Sequence, residues 1–257
     1  RVYDEAGNVT RTGWYGIDGK PLLQQAGYAA LERVYDAEKR VISEHYLGED
    51  GQPILLSAGY AGLTRIYDAE GNIARESYMD AEKQPVLIDK GYAAVEREYD
   101  AQNRVSRETY FDINNQPVPL AAGYAGLTRS YDAEGNITRE SYTDEENRPV
   151  LIDKGYAAIE KEYLGPNRVS YEAYFGADNR PILLDAGYAA LRREFDDAGN
   201  ITKSAWYGAD GKLLLQKQGY AALVRAYDAE KRVIAENYLG EDGQPILLPA
   251  GYAGLAR

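Results

Sequence analysis

The triplet Gly-Tyr-Ala begins at Gly27, Gly59, Gly91, Gly123, Gly155, Gly187, Gly219 and Gly251, and every interval is 32 residues. Self-similarity at a fixed short period marks a repeat architecture and constrains the fold before any helix or strand is assigned. Eight such units account for all but one residue of the 257, leaving no length for a separate catalytic domain. The chain therefore reads as one array over 1–257, with units 27–58, 59–90, 91–122, 123–154, 155–186, 187–218 and 219–250 and partial units at 1–26 and 251–257. It opens in mid-pattern at Arg1, and neither terminal unit is more polar than the rest. Since arrays usually end in polar caps, the expectation is an excerpt of a longer array or ends that self-associate.

Two longer periods overlie the first. The turn after Tyr-Asp reads Gly-Asn at Gly7, Gly71, Gly135 and Gly199, and ends in Arg at Arg40, Arg104, Arg168 and Arg232 in the intervening units. That alternation makes a 64-residue double repeat. Residues 1–65 also echo 193–257 at an offset of six repeats, which suggests block duplication.

Within the reference unit 27–58, VISEHY starts β-branched, ends aromatic and lies between Gly/Asp clusters, as a strand does. The PILL segment reads as a short third strand whose leading Pro suits an edge, and the Gly-Asp stretch between them reads as a tight hairpin. GYAALERVYD is ambiguous. Tyr28, Leu31 and Tyr35 have helical spacing, but Leu31, Arg33 and Tyr35 have the period of a strand, and Gly62, Gly126 and Gly254 interrupt other copies. The strand reading is preferred, with a hairpin plus short helix per unit as the alternative.

A 32-residue unit cannot bury a core alone. Stacking lets Leu31, Val41, Ile54 and Leu56 pack on their equivalents next door, giving an all-β, tandem-repeat β-hairpin solenoid, or a closed ring of eight units. Tyrosines fall on three ladders: the Gly-Tyr position, the Tyr-Asp position (Phe195 once) and the Tyr46 position (Trp14 and Trp206 twice). Of the 24 tyrosines, only Tyr15, Tyr171 and Tyr207 lie outside them. Arg33 has a basic equivalent in every unit, Arg1 and Arg257 included, and Glu44 recurs as Glu76, Glu108, Glu140, Glu172 and Glu236. These are expected to pair across the hairpin, with the guanidinium over a Tyr ring.

The formal charge of −12 argues against nucleic acid as a partner, because counterion release needs a basic surface. No run is long and apolar enough for membrane insertion. The absence of Cys removes thiolate chemistry and Cys-based metal sites. A nucleophile–His constellation has only His45 to draw on, and its equivalents include Ser77, Thr109 and Asn237. Paired carboxylates could in principle hydrolyse a glycoside, but acids recur in every unit, whereas one active site needs a break in symmetry. The turns at Asp36–Glu38 and Glu49–Gly51 carry hard oxygen ligands, yet Lys39 and Arg40 share the first loop and no EF-hand spacing occurs, so solvated turns are preferred to calcium sites. The expectation is no catalysis, no metal and no cofactor.

The string Tyr-Asp-x-x-Gly-Asn-[Val/Ile] at Tyr3, Tyr67 and Tyr131, and with Phe195 once, resembles bacterial YD-type repeats. Together with Tyr15 to Pro21 and Gly-Tyr-Ala, it is also loosely similar to MORN-variant and to glucan- and choline-binding hairpin repeats. The resemblance covers the whole chain through common turn chemistry, and Tyr163-Leu164-Gly165-Pro166 departs from it by losing the Asp. It implies a β-hairpin solenoid that spaces or binds.

Two functions follow as expectations. The first is an extended spacer and recognition scaffold of a bacterial surface or secreted protein, with a protein or glycan partner. The second is a carbohydrate- or choline-binding module that uses exposed aromatics. Its candidate ligand-binding residues are Trp14, Tyr15, Phe111, Tyr171, Phe175, Trp206 and Tyr207. For Trp14 and Trp206 the competing reading is that they replace Tyr in a packed ladder.

Overall fold

A computed structural model describes residues 1–165 and 168–256. Pro166, Asn167 and Arg257, which figure in the turn and ladder patterns above, lie outside them. Every regular element is a strand. The chain divides into two compact units, one of residues 1–127 with 144–147, the other of residues 128–143 with 148–257.

The first unit holds β1 (Val2–Tyr3), β2 (Val9–Gly13), β3 (Ala30–Tyr35), β4 (Val41–Leu47), β5 (Gly62–Tyr67), β6 (Ile73–Met79), β7 (Ala94–Tyr99) and β8 (Val105–Phe111). β9 (Gly126–Tyr131) has residues in both units. The second holds β10 (Ile137–Thr143), β11 (Ala158–Tyr163), β12 (Val169–Phe175), β13 (Ala190–Phe195), β14 (Ile201–Tyr207), β15 (Ala222–Tyr227), β16 (Val233–Leu239) and β17 (Gly254–Ala256). Within each unit, chain neighbours pair antiparallel, as in Leu31↔Tyr46 and Ser43↔Thr64. Each run is open: β1 pairs with β2, and β17 with β16. The solenoid-like array of hairpins expected from the sequence is what forms. The helix-bearing unit does not, because Ala30–Tyr35 and its equivalents follow the period of a strand rather than that of a helix.

Three turns shape the repeat, and in one copy Lys39, Gly51 and Gly59 are their left-handed residues. In the Tyr-Asp turn, Asp68 accepts bonds from the Asn72 backbone N–H (2.7 Å) and side-chain amide (3.0 Å). Asp36 does the same with the Arg40 N–H (2.8 Å) and Nε (2.6 Å). Asn and Arg are interchangeable donors to this Asp, which is the physical content of the 64-residue alternation. The left-handed position is held by Gly71 in one set, and by Lys39 and Asn103 at φ 62° and 58° in the other. The Gly-Tyr turn is stricter. Gly91 sits at φ 88°, beyond the range in which side-chain-bearing residues are comfortable, and its equivalents are all glycine.

The third strand does not form. Pro53 makes a single bridge to Leu47, and the chain then leaves the sheet after the Ile54 N–H donates to the Tyr46 carbonyl (3.0 Å). Proline offers no N–H to extend a ladder, so the segment instead turns alternate apolar residues, such as Ile88, onto one face of the sheet and leaves others, such as Leu87, exposed. There Leu63, Tyr78, Ile88, Tyr92, Val95 and Tyr110 form a buried cluster flanked by Val86, Val118 and Leu120.

That face is built of tyrosine. The two ladders seen separately in the sequence interleave into one zipper: Trp14, Tyr28, Tyr46, Tyr60, Tyr78, Tyr92, Tyr110 and Tyr124 follow one another at centroid spacings of 4.9 to 6.0 Å, alternately edge-on and tilted. Such geometries match the ring quadrupoles and each adds roughly 0.5–1.5 kcal/mol beyond burial. The second unit repeats the pattern from Tyr142 to Tyr188 and from Trp206 to Tyr252.

Candidate functional site

Alternation along each strand gives the sheet a second face, on which Ala30, Glu32 and Val34 lie opposite Leu47, His45 and Ser43. The charged and aromatic side chains of the strands divide between these two faces.

On the tyrosine face the expected ion pairs form across the hairpin: Arg33 Nε to Glu44 (2.8 Å), Arg65 to Glu76 (2.8 Å), Arg97 to Glu108 (3.0 Å) and Arg225 to Glu236 (2.9 Å). The carboxylates are nearly buried, with Glu44 only 8% exposed, and they also accept from tyrosines, Tyr46 OH to Glu44 at 3.4 Å and Tyr110 OH to Glu108 at 3.2 Å. Burial, with Glu44 charge second, pushes the Tyr46 phenol well above its ordinary range. Arg65 reaches Glu44 of the preceding hairpin as well (3.5 Å), linking the rungs. Arg193, opposite Ser204 rather than a Glu, turns back to Glu172 at 3.0 Å. The guanidinium–ring contact expected for this ladder is not seen at Arg33, Arg65, Arg97 or Arg225 among the described residues.

Guanidinium stacking instead occurs elsewhere, with Arg40 over Tyr67 (4.7 Å) and, on the second face, Arg75 over Phe111 (4.9 Å), Arg139 over Phe175 (5.1 Å) and Arg192 over Tyr171 (4.8 Å). Arg75 also binds Glu96 and the Asn115 side-chain oxygen, and Arg139 binds Glu160 and Asn179. Arg107 reaches Asn147 at 2.9 Å. Each Asn lies 40 residues beyond its arginine and occupies a left-handed turn position, at φ 62° for Asn115, 60° for Asn179 and 63° for Asn147. Asparagine tolerates that conformation and offers the arginine an acceptor that glycine lacks. These staples were missed in the sequence, although the pairing of Arg with Asn at a spacing of 40 was there to be found.

The seven sequence candidates scatter over both faces. Trp14 and Trp206 belong to the zipper, edge-on to Tyr28 (5.5 Å) and Tyr220 (5.7 Å). Tyr15, Phe111, Phe175 and Tyr207 occupy one repeat position on the second face, each directly after a ring of the zipper. Tyr15 is 63% exposed. Phe111 lies with Arg75, Glu96 and Ile66 along an open groove of about 500 Å³. Tyr171, Phe175 and Tyr207 are the three that the fold brings together: they line one slot of about 110 Å³ floored by Ala173 and Ala190.

His45, the single histidine, faces Gly62 across the sheet and lies 3.3 Å from Ser43 Oγ. Burial, aided by the charge of Lys83, lowers its pKa. Among the described residues no group of three or more acidic or His side chains is placed to hold a metal ion, and no helix is long and apolar enough to cross a membrane.

The fold defines a tandem β-hairpin repeat array. No family model and no curated protein matches the chain. Solved structures that match include crystal structures of TcdB2-TccC3-TEV and TcdB2-TccC3-Cdc42, each 14% identical over 89% of this chain and 13% of that chain, at TM-scores of 0.31 and 0.32. The Photorhabdus luminescens Tc holotoxin pore matches at 11% identity and TM-score 0.31 over 87% of this chain and 12% of that one. The chain thus spans a small fraction of the length of these proteins.

Proposed function

We propose that the array is a non-enzymatic, YD-type repeat scaffold that spaces and presents a recognition surface in a bacterial surface or secreted protein. One observation carries this reading: polar side chains are used, repeat after repeat, to close hairpins and to hold neighbouring ones together. The Tyr67 and Tyr99 hydroxyls bind carbonyls 26 residues back (2.8 Å each), Glu44 joins two arginines, and Asp68 and Asp36 close turns. A protein partner would be met by an acidic surface, favouring basic segments. Excision of 59–122, one double repeat, tests the unit-by-unit construction: the shortened chain should still unfold cooperatively, with a smaller enthalpy. Failure to fold would overturn it.

Glycan or choline binding is a second reading, favoured by the convergence of Tyr171, Phe175 and Tyr207 on one slot.

A further inference from the structure

The slot occurs where the stapling pattern is broken. In the repeat before it, Arg139 lies over Phe175 and is held by Asn179. One repeat on, the same three positions are Tyr171, Tyr207 and Gly211. An aromatic ring replaces the arginine, and glycine removes the side chain that would have filled the turn. At no other repeat do both the arginine and the phenylalanine positions carry aromatic rings.

What remains is a gap with defined walls. Tyr171 and Phe175 stand on β12 and Tyr207 on β14, with β13 between them contributing Ala190 as floor. Two strand spacings put β12 and β14 about 10 Å apart at the backbone, with Arg192 of β13 lying on the Tyr171 ring beside the gap. Neither the Tyr171 nor the Tyr207 hydroxyl is bonded to another described residue, so both are available to a polar ligand. The two phenols decide between the two ligand classes. Arg192, paired with Glu162, covers one face of Tyr171, and Arg139, paired with Glu160, covers one face of Phe175. With those ring faces taken, a quaternary ammonium head, which carries no hydrogen-bonding group, has little to bind, whereas a neutral sugar can use the two phenol hydroxyls as well as the free ring surface.

We infer that Tyr171, Phe175 and Tyr207 form a single site for a neutral pyranose, bound by stacking and by the two phenol hydroxyls. This rests on the second reading above and narrows it from glycan or choline to neutral glycan. Saturation-transfer NMR on the full chain, with maltotetraose, cellotetraose, chitotetraose and choline chloride as separate probes, tests it. Tyr207→Leu and Tyr171→Ser place residues already used at the equivalent Leu47 and Ser43, so the fold should survive, as circular dichroism would verify. At least one saccharide should bind, choline should not, and either variant should weaken saccharide binding about tenfold or more, roughly the loss of one stacking contact. Choline binding that is sensitive to Tyr207→Leu would overturn the neutral-sugar assignment while leaving aromatic recognition standing. Silence from every probe would overturn both, and saccharide binding indifferent to both variants would place the site elsewhere and overturn this one.

Discussion

The Tyr67 hydroxyl donates to the Val41 carbonyl at 2.8 Å, across the boundary between one repeat and the one before it. Tyr35, Tyr99, Tyr163 and Tyr227 repeat this clasp on Val9, Ile73, Ile137 and Ile201. The Tyr of the Tyr-Asp step is therefore an inter-repeat fastener, which a 32-residue unit with little core of its own requires.

Phe195 is the one described position where that hydroxyl is missing. Phe195→Tyr should stabilise the protein by about 0.5–1.5 kcal/mol, the net worth of a neutral hydrogen bond, and Tyr67→Phe should destabilise it by a similar amount. Urea melts with unchanged m-values would measure both. A neutral Tyr67→Phe would show that the clasp contributes only geometry.

The Glu76 carboxylate accepts from Arg65 and Tyr78 while largely shielded from water. Glu76→Gln should cost about 1–3 kcal/mol, in the range for hydrogen bonds to charged groups, and the loss should change little with added salt because the pair is mostly buried. Stability equal to wild type would remove the ladder from the account of what holds the array together.

Gly62 lies opposite His45, and a Cβ there would come within 2.7 Å of the imidazole and 2.8 Å of the Glu44 carbonyl. Elsewhere the pair is Ala94 opposite Ser77, small against small. Gly62→Ala alone should be destabilising by about 1–3 kcal/mol through overpacking. Adding His45→Ser should recover a substantial part of that loss. Additive costs in the double-mutant cycle would refute the steric coupling.

The array should fail at both ends of the pH scale for different reasons. Burial and then Glu76 hold the Tyr78 phenol above its ordinary value, and Tyr46 and Tyr110 are shifted likewise. A raised folded-state pKa contributes stability that is full below the unfolded value near 10 and is lost as pH climbs past it. Tyrosinate absorbance from the zipper should therefore rise together with loss of far-UV dichroism. On the acid side, the Asn72 side chain lowers the Asp68 pKa, desolvation opposing, and Asn200 does the same for Asp196. Their contribution is present above about pH 4 and fades as pH falls through the depressed values. Smooth tyrosine ionisation with the fold intact would contradict the alkaline half.

Much of this was legible along the chain. The period, the two principal strands, the hairpin turns and the Arg33–Glu44 register follow from alternation and turn chemistry acting over a dozen residues, so local patterns in the sequence were sufficient to read them. The proline-led segment misled, since PILL has the composition of a strand, and only the unavailable N–H and the waiting apolar face made it leave the sheet. Trp14 and Trp206 could be weighed but not placed, since a Trp in a ladder and a Trp in a lectin site have the same spacing.

What the sequence alone determined is the repeat and its hairpins, because each is specified by residues that are neighbours in the chain. Tertiary structure alone decided that two tyrosine ladders become one zipper, that Arg75 reaches an asparagine 40 residues on, and that Tyr171, Phe175 and Tyr207 share a slot. Those outcomes depend on which face a side chain takes and on register carried across three strands, and a small shift in either would send the same residues to different partners.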